Sequence, residues 1–95
     1  MTTTVVHVRD GYDIYIGRAN GRAKLKASKW GNPFRIGRDG TREEVIAKYR
    51  AWIQTQPDLL AQVHELRGKR IGCWCSPEAC HGDVLAELAE QGEWE

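Results

Sequence analysis

Residues 69–89 read KRIGCWCSPEACHGDVLAELA, and this stretch decides the fold class. Residues 69–75 (KRIGCWC) read as a short strand and residues 83–89 (DVLAELA) as a final helix. A strand, a short loop and a helix form the half-unit of an α/β fold, in which ligands sit at the carboxyl ends of the strands. Upstream, Leu59, Leu60, Val63 and Leu66 mark another helix, with Pro57 at its start and Gly68 at its end. Thr41 and Glu44 fit a capping box, and Val45, Ile46, Tyr49, Trp52 and Ile53 then recur at helical spacing. Pro57 stops that helix. Residues 3–9 (TTVVHVR) and 13–17 (DIYIG) have strand length and strand composition. Asp10-Gly11 between them suits either a hairpin or two strands placed apart by a tight bend. The expected architecture is one small α/β domain over residues 1–95, with a short central sheet of about three strands packed with about three helices.

Composition narrows the class. The chain has 95 residues, 41% hydrophobic and 28% charged, which fits one folded domain and excludes a disordered chain. No run approaches the roughly 18 apolar residues of a membrane span, so no membrane partner is expected. Residues 1–6 lack the basic and apolar regions of a secretory leader. With an odd number of cysteines as well, a reducing, cytoplasmic setting is expected.

The formal charge of +1 hides an asymmetry. Residues 1–50 hold eleven basic and five acidic residues, a balance of +6; residues 51–95 hold three and eight, a balance of −5. Residues 18–42 contain eight basic residues against Asp39 alone. Such polarity predicts either an anionic partner or two halves that neutralise each other.

Residues 20–40 are loop-like, punctuated by Gly21, Gly31, Asn32-Pro33, Gly37 and Asp39-Gly40. A loop this long in so small a domain tends to be functional or disordered. Within it, Trp30 is a candidate to stack on a base and Asn32 to project its amide. Arg18, Lys29, Arg35 and Arg38 are candidates to meet phosphates. The ligand set is therefore Arg18, Lys29, Trp30, Asn32 and Arg38. At least one of the two loop aromatics, Trp30 and Phe34, should fold back over the core, and Phe34 is the expected one.

The cysteines cluster as C-x-C-x4-C-H. Residues two apart in a strand share a face, so Cys73 and Cys75 lie side by side, and a turn at 76–79 returns Cys80 and His81. Three readings stand at this point. Cys73, Cys75, Cys80 and His81 could ligate zinc, although the spacing is not that of a finger or ribbon. Cys80 or Cys75 could be a thiolate activated by the final helix, with His81 as acid/base and Asp83 orienting it. Those free helix N–H groups would also suit a phosphate. Alternatively Cys80 and His81, four residues before Val84 and Leu85, lie on the buried helix face; for Cys73 the core is favoured.

Together YIGR (15–18), SKWGNPF (28–34), GRDGTREEVIAKYRAW (37–52), LRGKRIGCWC (66–75) and CHGDVLAELA (80–89) resemble the DUF4326 family of small bacterial and phage proteins. The resemblance runs from about residue 5 to 89. The Cys–His element is also similar to the carboxyl-terminal signature of the DUF488 family. There the position matching Cys75 is often acidic and that matching Gly82 commonly arginine. The resemblance implies an α/β domain and a shared site, with one metal-ligand position exchangeable, and names no substrate.

The expectation is that both motif groups converge. Arg18, Asn32, Cys80 and His81 would then surround one pocket for a phosphate-bearing ligand, a nucleotide or a nucleotide-derived molecule, with hydrolase or transferase chemistry at Cys80, His81 and Asp83. The alternative is a non-catalytic nucleotide-sequestering or nucleic-acid module with a structural zinc site. A third class is a homo-oligomeric interaction protein. Nucleic acid ranks below a small nucleotide because no groove-reading motif is present.

Overall fold

The computed structural model describes residues 2–18, 21–22, 24–75 and 78–91. It is an α/β domain built on a three-stranded parallel sheet. Strands β1 (Thr4–His7), β2 (Ile14–Tyr15) and β3 (Arg70–Cys73) lie in the order β1-β3-β2, so the last strand of the chain is the central one. Val5 and Ile14 both sit opposite Ile71, and Val6 and Tyr15 opposite Gly72.

There is no β1–β2 hairpin. Instead a 3₁₀ turn, Val8–Asp10, begins a crossover that carries the chain over β3 to its far edge. That crossover lies tight on the sheet, because a Cβ at Gly72 would come within 2.7 Å of the Tyr12 ring. Asp13 and Arg70 secure the start of β2: Asp13 N–H donates to the Arg70 carbonyl at 2.7 Å, and Arg70 N–H to Asp13 Oδ2 at 2.9 Å. The Asp-Gly pair thus makes a bend rather than a hairpin turn. A parallel neighbour supplied from residue 70 onward is not visible in the local sequence.

The helices follow the sequence pattern more closely. Helix α1 (Arg42–Ile53) starts with the expected capping box: Glu44 N–H donates to Thr41 Oγ1, and Thr41 N–H to Glu44 Oε1 at 2.9 Å. Val45, Tyr49 and Ile53 are buried, with Ile46 and Trp52 packed against the core. Helix α2 (Pro57–Gln62) has proline in its first turn and tightens into a 3₁₀ segment, Val63–Leu66, before Gly68 at φ +75°. Helix α3 (His81–Gln91) begins two residues earlier than its apolar pattern suggests. Its Gly82 passes so close to the sheet that a Cβ would lie 2.8 Å from Ile16 Cδ1 and 3.0 Å from Val5 Cγ1. An arginine of the DUF488 kind has no room there.

The core unites Ile16 and Ile71 of the sheet region with Tyr49, Ile53, Leu66, Val84, Leu85 and Ala89 of the helices. Among the described residues, two ion pairs tie the basic half to the acidic half, Lys29–Glu65 at 3.3 Å and Arg50–Glu87 at 2.6 Å. Among the described residues no helix is long and apolar enough to cross a membrane. Ser76 and Pro77 of the expected 76–79 turn fall outside the described residues.

Candidate functional site

A cavity of about 150 Å³ opens at the carboxyl end of the sheet. Its floor is the end of β3, Cys73 to Cys75, together with Cys80 and His81 at the start of α3. One wall comes from Gly17 and Arg18 after β2, and another from Arg42, Val45 and Ile46 of α1. Asn32, Phe34 and Ile36 of the long loop close it. A shallower groove of about 480 Å³ adjoins, sharing Gly17, Arg18 and Asn32 and adding Arg35 among others. The parallel order places these segments together, since β2 and β3 end side by side.

The loop is held by its tryptophan. Trp30 is only 2% exposed, and Tyr49 Oη donates to its carbonyl at 2.7 Å, so burial pushes the Tyr49 phenol up. The expectation for the two loop aromatics is therefore reversed: Trp30 enters the core and Phe34 lines the cavity. The larger ring lies where α1 offers a deep apolar seat, and it is lost as a stacking surface. Asn32 turns inward on itself, accepting from Phe34 N–H at 2.9 Å through Oδ1 while Nδ2 faces the Val45 carbonyl at 3.4 Å. It shapes the cavity wall with an amide already engaged.

Arg18 donates through Nη2 to the carbonyls of Asn32 at 2.9 Å and Phe34 at 2.6 Å, which locks the loop over the end of β2. A guanidinium carries five N–H donors, and among the described residues these bonds use only Nη2. Burial and the like charges of Arg35 and Arg38 hold its pKa below the usual value. Lys29 and Arg38 do not line the cavity. Lys29 points to Gln62 and Glu65, and Arg38 pairs with Asp39 at 2.8 Å and donates to the Pro33 carbonyl at 3.2 Å. Both found partners on their own side of the loop.

The start of α3 is packed by its own residues. His81 is 8% exposed, its Nε2 lies 2.7 Å from the Ile16 carbonyl, and its ring meets Tyr49 edge-on. A carbonyl only accepts, so the proton sits on Nε2, and burial lowers the histidine pKa toward the neutral form. Asp83 does not orient His81. Its Oδ2 accepts from Cys80 N–H at 3.0 Å, and Gly82 N–H faces Cys80 Sγ at 3.3 Å. Donors expected to greet a phosphate are therefore spent on caps.

The three cysteines share the cavity floor, where Cys73 Sγ and Cys80 Sγ are 3.2 Å apart. Their contacts, with that of Arg42, hold the Cys75 thiol far below its usual range. The same contacts, together with burial, push Cys80 up. Of the three, Cys75 is half-buried while Cys73 and Cys80 are buried. Among the described residues no group of three or more His, Cys, Asp or Glu side chains has the arrangement of a metal site. His81 in particular has its Nε2 engaged by the Ile16 backbone carbonyl.

Arg42 is the residue that the sequence reading missed. From the first turn of α1 its Nη1 donates to the Ala79 carbonyl at 2.9 Å, and its guanidinium also meets Cys75. Its position in the first turn after the capping box was the available signal; its target, across the fold, was not. Trp74 is 43% exposed, meets the cavity edge, and donates through Nε1 to Tyr15 Oη at 2.9 Å.

Two curated viral proteins are similar to the chain. An uncharacterized protein R718 of Acanthamoeba polyphaga mimivirus is 42% identical over 86 residues, covering 80% of this chain and 65% of that protein. An uncharacterized 12.4 kDa protein in the nrdA-td intergenic region of Enterobacteria phage T4 is 36% identical over 67 residues, covering 65% of this chain and 60% of that protein. The chain thus spans less than two thirds of the length of each. No solved structure matches it. The family model described as a domain of unknown function, DUF4326, matches residues 3–91, nearly the whole of the fold and every wall of the cavity, so the chain belongs to the DUF4326 family.

Proposed function

We propose that the cavity and its adjoining groove bind a phosphate-bearing small molecule, a nucleotide or a nucleotide-derived compound. The observation that carries this reading is a set of arginines without carboxylate partners around a concave, partly apolar site. Arg18 and Arg42 line the cavity, Arg35 lines the groove, and among the described residues none of the three forms an ion pair with a carboxylate. Arg18 is moreover held beside Arg35 and Arg38, whose like charges disfavour its own. An anion seated between these groups relieves that repulsion and gains charge-assisted hydrogen bonds from the open guanidinium donors.

The apolar walls favour a ligand with more than phosphate. Phe34, Ile36, Val45, Ile46 and Trp74 flank the cavity with aliphatic and aromatic surface suited to a planar ring. The ring would sit against these side chains and the phosphates would run along the groove past Arg18 and Arg35. A small nucleotide is favoured over nucleic acid because Trp30, the aromatic best suited to stack on successive bases, is in the core.

The reading is tested by calorimetric titration and thermal shift with inorganic pyrophosphate, nucleosides, and nucleoside mono-, di- and triphosphates. Nucleotides should bind and raise Tm, nucleosides should bind weakly, and Arg18→Ala should lower nucleotide affinity by about tenfold or more, the worth of one charge-assisted contact. Absence of binding across the panel, or equal affinity in the Arg18→Ala protein, overturns it.

A further inference from the structure

Beneath the cavity the end of β3 and the start of α3 meet through two sulfurs. Cys73 is the last residue of β3 and is 1% exposed; Cys80 directly precedes α3 and is 3% exposed. Their Sγ atoms lie 3.2 Å apart, neither is in a disulfide, and both residues line the cavity. We infer that Cys73 and Cys80 are a peroxide-oxidisable pair, forming a disulfide that fastens β3 to α3 under the cavity floor. This modification site is separate from the phosphate-ligand reading and does not rest on it.

Geometry selects the pair. Sulfurs at 3.2 Å reach a bond of about 2.05 Å by closing roughly 1.2 Å, a shift that two side chains can share. Cys80 is held in place by its own turn, where Gly82 N–H donates to its Sγ at 3.3 Å and Asp83 Oδ2 accepts from its N–H at 3.0 Å. Cys75 is half-buried at a bend beyond the end of β3, and it is the cysteine that larger reagents reach. Burial selects the oxidant. Sulfurs this enclosed are shut off from bulky disulfides, but the cavity of about 150 Å³ that both line has room for molecules of water size, and hydrogen peroxide is little larger. Among the described residues, Arg42 holds the connection between β3 and α3 to α1 through the Ala79 carbonyl. A Cys73–Cys80 bond adds a covalent ring around that connection, which carries Trp74, Cys75 and Ala79 of the cavity lining.

In the first step one sulfur of the pair attacks hydrogen peroxide. The O–O bond breaks, hydroxide leaves and takes the thiol proton as water, and the sulfur becomes a sulfenic acid. The second sulfur then attacks the first. The S–O bond breaks, and hydroxide leaves with the second thiol proton as another water. Two thiols and one peroxide thus give one disulfide and two waters, the sulfurs oxidised and the peroxide oxygens reduced.

The test treats the reduced native protein with hydrogen peroxide, then caps remaining thiols with iodoacetamide in denaturant, reduces, and tags the released thiols with N-ethylmaleimide. No Lys or Arg lies within residues 71–95, so trypsin leaves all three cysteines on one peptide, whose fragment ions in mass spectrometry place each tag. N-Ethylmaleimide should mark Cys73 and Cys80, and iodoacetamide Cys75. Cys75→Ser should keep the Cys73–Cys80 disulfide, which tests the pairing without altering either buried cysteine. Protein oxidised in urea should lose the preference, Cys73 and Cys75 then pairing with Cys80 equally often. The oxidised native protein should melt several degrees above the reduced one. A native wild-type disulfide that includes Cys75, Cys73 and Cys80 both left as thiols after Cys75 has oxidised, or a Tm that falls on oxidation overturns the proposal.

Discussion

The loop around Trp30 and the element around His81 share one plan. Each carries a residue of conspicuous chemistry, an indole in a basic stretch and an imidazole beside a cysteine, and each buries it. Tyr49 touches both: its hydroxyl donates to the Trp30 carbonyl and its ring packs on His81. What differs is what each leaves at the surface. The loop presents backbone, Phe34 and Arg18 held by two carbonyls, whereas the helix start presents sulfur and the guanidinium of Arg42. Residues that look functional alone can be the ones that hold the site's shape, and their plainer neighbours are left to face a ligand.

The strongest way to break this comparison is Trp30→Ala. A fully seated indole should cost about 3–5 kcal/mol on truncation, measured by urea unfolding. Loss below 1 kcal/mol would mean the loop is not anchored through Trp30. His81→Ala should cost less, about 1–3 kcal/mol, because it leaves the Ile16 carbonyl without its buried donor.

His81 also sets a pH signature. Its folded pKa lies below the ordinary 6.5, so the unfolded chain binds the proton more readily. Stability from this group is therefore full above about pH 6.5 and falls as pH drops toward the folded value. A stability profile in which His81→Gln removes the decline between about pH 6.5 and 5 supports a neutral packing role; an unchanged profile refutes it.

Arg42→Ala sharpens the other side. It should slow iodoacetamide labelling of Cys75 several-fold near pH 6 by raising the thiol pKa, while changing stability by about 1 kcal/mol or less. The smallest effect belongs to Lys29→Ala. Its exposed pair with Glu65 is worth about 0–1 kcal/mol, and nucleotide affinity should not move, because the ammonium faces α2 and not the cavity. Equal losses of affinity in the Lys29 and Arg18 variants would dissolve the distinction between the loop's two faces.

The amino-acid order alone determined the α/β class, the capping box at Thr41, the Val45–Tyr49–Ile53 stripe and the strand–loop–helix that ends the fold, since each depends on residues within a few positions of one another. It also marked residues 18–42 and the cysteine–histidine element as the places to look. The three-dimensional arrangement decided the rest. That β3 enters between β1 and β2, that Trp30 and not Phe34 fills the core, that Arg42 and Cys75 line one cavity, and that Cys75 rather than Cys80 is the half-buried sulfur are all long-range outcomes. Periodicity says which face of an element is apolar. Only packing says which neighbour covers that face and which polar groups it leaves open.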